Sequence, residues 1–291
     1  MKIIFIAGYP RSGSTILDVL IRKSGNSDFI SIGEFFYIFE KGYKNNELCA
    51  DNVRFLEHPL WTKALQNLNI KKAHKDLKIF KNPFLFPFFF IIGIVNRNFL
   101  NFLFPNLYEF TKKVFSRIND ISNNRILIDA SKDPRQLFLL SMYDFLDINV
   151  IHIIRDSRAT SFSWKKKKVY KNGIFFKRKN VLQSSLRWLN DHIWILLISN
   201  IFYPKKYQRV IYEKLYLKKY FNFFNNQYLI NYKKTSTKFN IEIGGNSNKF
   251  HNFKSLAIDR EWVRNIKNFD FFITTCLTLP LLIYFGYRIK K

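Results

Sequence analysis

A small, polar loop near the start of the chain has the residue types that bind phosphate. It runs from Gly8 to Thr15 and follows a continuous apolar stretch, Lys2–Ala7. That stretch predicts a strand buried on both faces of a parallel sheet, and the apolar residues from Ile16 to Ile21 predict a helix that ends near Gly25. A strand, a glycine-containing loop and a helix N-terminus direct several backbone N–H groups at one point. We therefore expect this loop to bind a phosphate or a similar oxyanion.

The loop differs from the ATP- and GTP-binding loop in the position of its cation. The nucleotide-binding pattern is G-x-x-x-x-G-K-[S/T]. Gly8 and Gly13 keep its spacing, but Ser14 stands at the lysine position and Arg11 is the cation inside the loop. A bound nucleotide is therefore expected to meet a different arrangement of charge. The simpler alternative is a glycine turn of the kind found between a strand and a helix in any α/β protein.

Two more predicted strands end next to a cation. Lys132 follows the strand predicted over Arg125–Ala130, and Arg155 directly follows the strand predicted over Asn149–Ile154. The carboxyl ends of parallel strands meet at one edge of a sheet. We therefore expect Arg11 and these two cations to lie together at that edge.

The remaining elements predict an α/β fold. Phe29–Ile32 and Arg209–Tyr212 have the composition of two further short strands, and Asp133-Pro134 is typical of a helix start. Residues 71–124 are predicted to be helical, and Val181–Ile198 has strong helical periodicity. Its predicted apolar face consists of Leu182, Leu186, Leu189, Ile193 and Leu197. Strands separated by helices predict three layers, with a central, mostly parallel sheet flanked by helices.

The composition favours an anionic ligand without choosing one. The 291 residues suffice for one large domain, and the net charge is +27. Basic residues are spread over the whole chain, so this charge carries less weight than the motifs. Cys49 and Cys276 form no metal-ligand pattern, and two thiols in a reducing compartment are expected. No signal peptide precedes the first strand, which leads us to expect a cytoplasmic protein.

The apolar stretch Phe84–Val95 is a candidate for contact with a membrane. It is too short to span a bilayer, and it contains Pro87 and Gly93. We expect a buried or interfacial helix. The alternative is a peripheral membrane contact through residues 84–95, with the protein membrane-associated.

With these motifs in place, the sequence resembles the sulfotransferases that use 3′-phosphoadenosine-5′-phosphosulfate (PAPS). The loop Tyr9–Thr15 resembles their 5′-phosphosulfate loop, and Ile154-Arg155-Asp156 with Ser163 resembles their 3′-phosphate motif. Further similarities are found in Gly33-Glu34, Ser131–Pro134, Tyr212-Glu213, Gly245-Asn246, Thr278–Leu282 and Phe285–Tyr287. Bacterial members and the branch with protein-tyrosine sulfotransferases share this layout. The resemblance covers nearly the whole chain and is weak between residues 71 and 124.

The resemblance implies one sulfotransferase domain over residues 1–291, with a P-loop-NTPase-like three-layer fold. A variable helical insertion at about 35–124 would lie on the acceptor side. The donor would be PAPS, and no metal would be needed. The implied donor-binding residues are Arg11, Ser12, Gly13, Ser14 and Thr15 at the 5′-phosphosulfate, Arg155, Ser163 and Lys167 at the 3′-phosphate, Tyr212 at the adenine, and Lys249 near the nucleotide.

Sulfuryl transfer needs a base for the acceptor hydroxyl and cations for the developing charge. Glu34 is the candidate base, because it stands at a strand end and the tyrosine-sulfating relatives place a glutamate similarly. Lys132 and Arg11 are expected to stabilise charge on the bridging oxygen and the sulfuryl group. The acceptor hydroxyl could belong to a carbohydrate, a lipid, a small molecule or a peptidyl tyrosine. The usual proline after the Arg-Asp pair is replaced by Ser157.

Two other functions are compatible with parts of the sequence. A P-loop kinase would bind ATP with magnesium, but the missing loop lysine argues against it. A basic protein could instead bind nucleic acid or a membrane surface through Lys165–Lys168. Because such a lysine run is usually a solvated helix end, no nucleic-acid partner is expected.

Overall fold

The computed structural model describes most of the chain. The described residues are 1–24, 28–166, 178–215, 242–243 and 259–289. Several residues that the sequence singled out lie outside them: Gly25, Lys167, Gly245-Asn246 and Lys249. Their predicted roles remain predictions.

The five predicted strands are present and form one parallel sheet, which confirms the α/β class. They are β1 (Lys2–Gly8), β2 (Phe29–Gly33), β3 (Ile126–Lys132), β4 (Asp147–Ile154) and β5 (Tyr207–Ile211). Their order in the sheet is β2-β3-β1-β4-β5. Residues Ile3 to Ala7 are fully buried, as a strand covered on both faces requires. The strand boundaries differ from the predicted ones by one or two residues; β3, for example, continues through Lys132, and β5 ends before Tyr212.

Helices separate the strands, as expected for this class of fold. They are α1 (Ser14–Ser24), α2 (Pro59–Leu65), α3 (Ile70–Phe80), α4 (Phe86–Val95), α5 (Arg97–Leu103), α6 (Pro105–Ile121), α7 (Pro134–Leu140), α8 (Ser157–Lys165), α9 (Val181–Phe202), α10 (Glu261–Asn265) and α11 (Asn268–Tyr284). Short 3-10 turns cover Phe35–Tyr37, Phe55–Glu57 and Tyr212–Lys214, and a π-helical segment covers Ile38–Lys44. Helices α3 to α6 confirm the helical prediction for residues 71–124.

The chain divides into two compact units, each built from separate pieces of sequence. Unit 1 consists of Met1–Phe5, Asn26–Asn149 and Tyr232–Gly245, and unit 2 of Ile6–Gly25, Val150–Asn231 and Asn246–Lys291. The single domain with an insertion at about 35–124 remains a prediction.

Unit 1 has a core of phenylalanine rings. Phe80 on α3 lies within 6.2 Å, centroid to centroid, of four other rings, those of Phe86, Phe89, Phe104 and Phe138. Gly93 brings α4 close to this core, since a Cβ atom there would lie 2.5 Å from Phe138 Cζ. One face of α4 is therefore buried. Among the described residues, no helix is both long and apolar enough to cross a membrane.

In unit 2, helix α9 buries a different face from the one predicted. Leu186 and Ile193 are exposed, whereas Ser184, Trp188 and His192 are fully buried. The Ser184 hydroxyl donates to the Ser161 hydroxyl of α8 at 2.9 Å. The buried face has large apolar side chains of its own, Trp188 and Ile195, and its serines contact α8, so the leucine face is turned to solvent. The predicted apolar face was wrong for this reason.

Candidate functional site

The phosphate-binding loop of unit 2 is held against the 3-10 turn that follows β5. Arg11 has a left-handed backbone with φ 77° and Gly13 has φ 89°. A Cβ atom on Gly13 would lie 2.4 Å from the ring of Tyr212, so only glycine fits there. The Ser12 N–H donates to the Tyr9 carbonyl at 3.2 Å, which closes the turn. The conformation of this loop therefore requires glycine at residue 13.

Ser12 is the loop residue that most clearly fits an oxyanion. Its side chain is fully buried, and its hydroxyl has no hydrogen-bond partner among the residues that the structure describes. A buried hydroxyl without a partner is costly, so a ligand oxygen would satisfy it. Ser14 and Thr15 open α1, which places their backbone N–H groups at the N-terminus of that helix. These features suit a phosphate or phosphosulfate group.

Arg155 is buried at the end of β4, with 6% of its surface exposed. Its Nη1 donates to the Arg11 carbonyl at 3.0 Å and its Nη2 to the Asp259 carboxylate at 3.1 Å. Its guanidinium carbon lies 4.5 Å from the centroid of the Tyr212 ring, and its own carbonyl accepts from Trp188 Nε1 at 3.1 Å. Within the described part of the chain, its buried Nε has no partner. The two predicted nucleotide motifs of unit 2 are thus in direct contact.

Asp259 is a site residue that the sequence did not reveal. Burial alone would raise the pKa of its carboxyl, but the charge and hydrogen bond of Arg155, the Glu261 N–H and the charge of Lys166 together outweigh burial and lower it. The carboxylate therefore stays ionised on the cation that the resemblance assigns to the 3′-phosphate. The two residues are 104 positions apart, and no local pattern connects them.

Helix α8 directly follows Arg155 in the chain, and Asp156 is its N-cap residue. Asp156 caps the helix by accepting from the Arg158 N–H at 2.9 Å, and the two side chains also form an ion pair at 2.6 Å. Ser163 is buried on the same helix. The Ser157 hydroxyl lies 2.7 Å from the Thr278 hydroxyl. A proline at residue 157 would lose this hydrogen bond, which gives the unusual serine a physical reason.

In unit 1, Glu34 forms ion pairs with two lysines. Lys132 donates to its Oε1 and Lys41 to its Oε2, the latter at 2.5 Å. All three side chains are largely buried. Burial alone would raise the pKa of Glu34, but the two ammonium groups outweigh it and hold the pKa far below its usual range. Glu34 is therefore an ionised carboxylate in the ligand-free protein.

Two residues at this cluster, Gly33 and Lys132, have a left-handed backbone conformation. Gly33 has φ 71°, and a Cβ atom on it would lie 2.3 Å from the Ile243 carbonyl, to which the Glu34 N–H donates at 2.7 Å. Lys132 also has a left-handed backbone, with φ 68°, and its ammonium donates to the Ala130 carbonyl at 2.9 Å. Strain of this kind persists where the surrounding structure requires it, often at functional sites.

Lys41 was missed by the sequence analysis. It lies on the π-helical segment Ile38–Lys44, and its ammonium is also 5.3 Å from the centroid of the Tyr37 ring. Short π-helical segments are rare and frequently occur at functional sites. The available signal was the spacing of seven residues from Glu34, about two helical turns.

The segment after β3 forms as predicted. Asp133 caps α7 by accepting from the Arg135 N–H at 3.0 Å, and Pro134 occupies the first helical position. Asp129, which a kinase could use to hold magnesium, is fully buried and accepts from Gln136 Nε2 at 3.1 Å. Burial raises the pKa of Asp129 to about 6. The described residues contain no group of three or more His, Cys, Asp or Glu that could hold a metal ion.

A cavity of about 720 Å³ opens beside Asp259 in unit 2. This volume suits a ligand of nucleotide size. Its lining residues are Asp156, Glu213, Asp259, Arg260, Glu261, Trp262, Val263, Arg264, Asn265 and Tyr287. Its four carboxylates outnumber its two guanidinium groups, those of Arg260 and Arg264, which disfavours phosphate groups inside the cavity itself.

The sheet and the loop after β1 define an α/β protein with a glycine-containing loop between a strand end and a helix N-terminus. No protein-family model matches the sequence, and no curated protein matches it significantly. Two solved structures are similar over nearly their whole length. The sulfotransferase domain of an olefin synthase from Synechococcus PCC 7002 is 18% identical, with a TM-score of 0.55, over 99% of this chain and 95% of that chain. The sulfotransferase domain from the curacin biosynthetic pathway is 15% identical, with a TM-score of 0.51, over 99% and 98%. The chain therefore has the fold of these sulfotransferase domains, and the predicted fold is confirmed.

Proposed function

We propose that the protein transfers the sulfuryl group of PAPS to an acceptor hydroxyl. The observation that carries this proposal is the hydrogen bond from Arg155 Nη1 to the Arg11 carbonyl. It joins the residue proposed for the 3′-phosphate to the loop proposed for the 5′-phosphosulfate. A doubly phosphorylated adenosine has anionic groups at both ends, and this arrangement offers each of them a separate set of donors.

The 5′-phosphosulfate is proposed to lie on the loop. Ser12 would donate its buried hydroxyl, and the N–H groups of Ser14 and Thr15 would donate from the helix N-terminus. Gly13 allows this backbone to approach closely. Arg11 would face the sulfuryl group, as the resemblance implies.

The 3′-phosphate is proposed to bind Arg155 and Ser163. The unpartnered Nε of Arg155 is a donor that such a ligand would satisfy. Asp259 now accepts from Nη2 and has the same sign of charge as the phosphate. We propose that the phosphate replaces this carboxylate, so that the protein exchanges one ion pair for another when the donor binds. Tyr212 is proposed to contact the adenine, and Lys167 and Lys249 to assist at the phosphates.

Glu34 is proposed as the base that accepts the proton of the acceptor hydroxyl. A base works best when its pKa is near the working pH, and two ammonium groups now hold the pKa of Glu34 too low. Loss of one of these contacts during turnover would raise the basicity of the carboxylate. Lys41 would then remain to position Glu34 if Lys132 turned away. The role of Lys132 at the bridging oxygen remains a prediction.

PAPS supplies the sulfuryl group in this proposal, and the protein supplies donors and a base. The acceptor is proposed to be a hydroxyl compound, whether a carbohydrate, a lipid, a small molecule or a peptidyl tyrosine. Residues 35–124 are proposed to select it. We propose no metal in the reaction and a cytoplasmic location.

Thermal stabilisation by nucleotides tests this function. Adenosine 3′,5′-bisphosphate at 100 times its Kd should stabilise the fold by about 2.7 kcal/mol. This corresponds to a rise in Tm of about 4–5 °C for a chain of 291 residues. ATP with magnesium should give a much smaller rise. A larger rise with ATP and magnesium would favour a kinase, and no rise with either would contradict nucleotide binding.

A pair of variants locates the binding site in the same assay. Arg155→Ala should lose most of the rise caused by the bisphosphate. Arg209→Ala removes an exposed arginine on β5 and serves as the matched control, which should keep it. Equal losses in the two variants would indicate a general effect of charge.

A further inference from the structure

Unit 1 exposes a large apolar surface on α4, α5 and the residues that precede α4. We call it the α4–α5 surface. Its nine exposed members are Phe84, Leu85, Phe88, Ile91, Ile94, Val95, Phe99, Phe102 and Leu103. Exposed apolar areas of this extent mark binding sites for a protein or a membrane.

Helix α4 differs from an ordinary surface helix because it is apolar on all sides. Its inner face buries Phe86, Phe89 and Phe90 against the phenylalanine core of unit 1. Its outer face presents Phe88 and Ile91, where a helix in water would have polar residues. Helices that are hydrophobic all round normally have apolar surroundings on every side. The part of the chain that the structure describes therefore leaves this apolar outer face exposed.

The outer face is held in a fixed orientation. Ring contacts of Phe86 and Phe90 with Phe138, at 5.7 Å and 5.3 Å between centroids, anchor α4 to the core. Asn96 caps α5 by accepting from the Phe99 N–H at 3.3 Å, so the turn between the two helices is also defined. The exposed rings are thus displayed by a packed scaffold.

The chain that forms and flanks this surface is basic in sequence. Residues 82–105 contain no acidic residue and one cation, Arg97. Helix α3, which precedes the surface, exposes four lysines: Lys71, Lys72, Lys75 and Lys78. Its one acidic residue, Asp76, accepts from the N–H groups of Asn106 and Leu107 and so caps α6. On α6, Glu109 pairs with Lys113 at 3.7 Å, and Lys112 remains beside them.

We propose that the α4–α5 surface docks on an anionic lipid bilayer. Exposed phenylalanines and isoleucines would enter the interfacial region, and the lysines of α3 would meet the lipid phosphates. Helix α4 has ten residues and is about 15 Å long, which suits a helix that lies in the interface and excludes one that spans it.

A second copy of the chain is the other candidate occupant, and charge argues against it. A symmetric dimer through this surface would bring together the same lysine-bearing helices of two molecules that each carry +27. Like charges across an interface are costly. An anionic bilayer neutralises them and covers the apolar residues in a single contact.

Vesicle flotation tests the proposal with the full chain. The probes are vesicles of phosphatidylcholine alone and vesicles with 30% phosphatidylglycerol, a composition chosen as about one anionic lipid in three, in low and high salt. We expect the protein to bind the anionic vesicles. A fraction of this binding should persist in high salt, because insertion of the apolar side chains does not depend on charge. The triple variant Phe88→Ser, Ile91→Ser, Phe102→Ser should lower the partition coefficient at least about tenfold.

A matched triple variant controls for lost apolar surface in general. Phe269→Ser, Phe272→Ser, Ile283→Ser alters side chains that are 72%, 65% and 58% exposed on α11, against 59%, 60% and 76% at the three test positions. It should bind vesicles as the unchanged protein does. Circular dichroism melting of both variants checks that they fold.

Four results would overturn the proposal. They are absence of binding to anionic vesicles, binding that high salt abolishes completely, equal losses in the two triple variants, and unchanged binding by the α4–α5 variant. Light scattering adds a further outcome. A dimer that dissociates in the α4–α5 variant, in a protein that does not bind vesicles, would assign the surface to a second copy.

Discussion

The contact between Arg155 and Asp259 predicts that removing a carboxylate tightens ligand binding. Asp259→Asn should increase the affinity for adenosine 3′,5′-bisphosphate because the 3′-phosphate no longer competes with an ionised side chain for Arg155. The Asp259 side chain is 44% exposed, so the ion pair is in the range of solvent-screened pairs, about 0.2–1 kcal/mol. This corresponds to binding that is tighter by up to about fivefold.

Arg155→Ala should act in the opposite direction and more strongly. Hydrogen bonds to a charged group contribute about 1.5–3 kcal/mol, which corresponds to a loss of about 10- to 150-fold. Arg155→Lys should lie between, because it keeps the charge but loses the planar fork and the unpartnered Nε. Binding of adenosine 5′-monophosphate, which lacks the 3′-phosphate, should change less than about threefold in each variant.

Isothermal titration calorimetry on a double-mutant cycle decides the question. In Arg155→Ala, the further change Asp259→Asn should no longer improve binding, because its effect passes through Arg155. If Asp259→Asn tightens both nucleotides equally, the effect is a general one of net charge. If it weakens the bisphosphate, Asp259 belongs to the ligand site in another role, and the exchange of ion pairs is refuted.

Three further predictions concern the site of unit 1 and the core of unit 2. Glu34→Gln should lower turnover of PAPS by about 10²–10⁴-fold and leave bisphosphate affinity nearly unchanged, and undiminished turnover would eliminate Glu34 as the base. Gly33→Ala places a Cβ atom 2.3 Å from the Ile243 carbonyl oxygen, on a residue with φ 71°. The free energy of unfolding measured in urea should therefore fall by about 1–3 kcal/mol. A decrease below about 0.5 kcal/mol would count against this argument. Burial lowers the pKa of His192 to about 3 and that of His152 well below its usual value. As the pH falls, the histidines of the unfolded chain bind protons before those of the folded chain. The free energy of unfolding should therefore have its full value above about pH 6.5 and fall below that pH, by about 1.4 kcal/mol per pH unit for each histidine. A flat profile of unfolding free energy in urea titrations between pH 7 and pH 5 would refute this.

The pH prediction depends on a buried network that the sequence indicated only in part. His152 lies inside β4 and is fully buried. Its Nε2 lies 2.6 Å from His192 Nδ1, and its Nδ1 lies 2.8 Å from the Tyr207 hydroxyl. Between two neutral rings, one of the facing nitrogens carries a proton and donates it to the other nitrogen, whereas protonation of both rings would place two positive charges side by side. The partners come from α9 and β5, and no local pattern joins them to β4.

The features that depend on neighbours along the chain could be predicted from the sequence. Continuous apolar runs gave the five strands, Asp133-Pro134 gave the start of α7, and the glycine spacing gave the loop Gly8–Thr15. These follow from periodicity, capping and the conformational freedom of glycine, each of which acts within a few residues. Local rules also produced the wrong face of α9, because the leucine spacing is visible in the sequence and the partner helices are not.

Which charged groups meet depends on the folding of distant segments and could not be predicted. Lys41 and Lys132 share Glu34 although Lys132 is 98 residues away from it, and Asp259 reaches Arg155 across 104 residues. Such pairings depend on how distant segments are brought together, and many arrangements of the same charges satisfy the same local patterns. The pKa of Glu34 and the competition at Arg155 are therefore properties of the folded chain, because burial and the distance between charges are set only when the chain has folded.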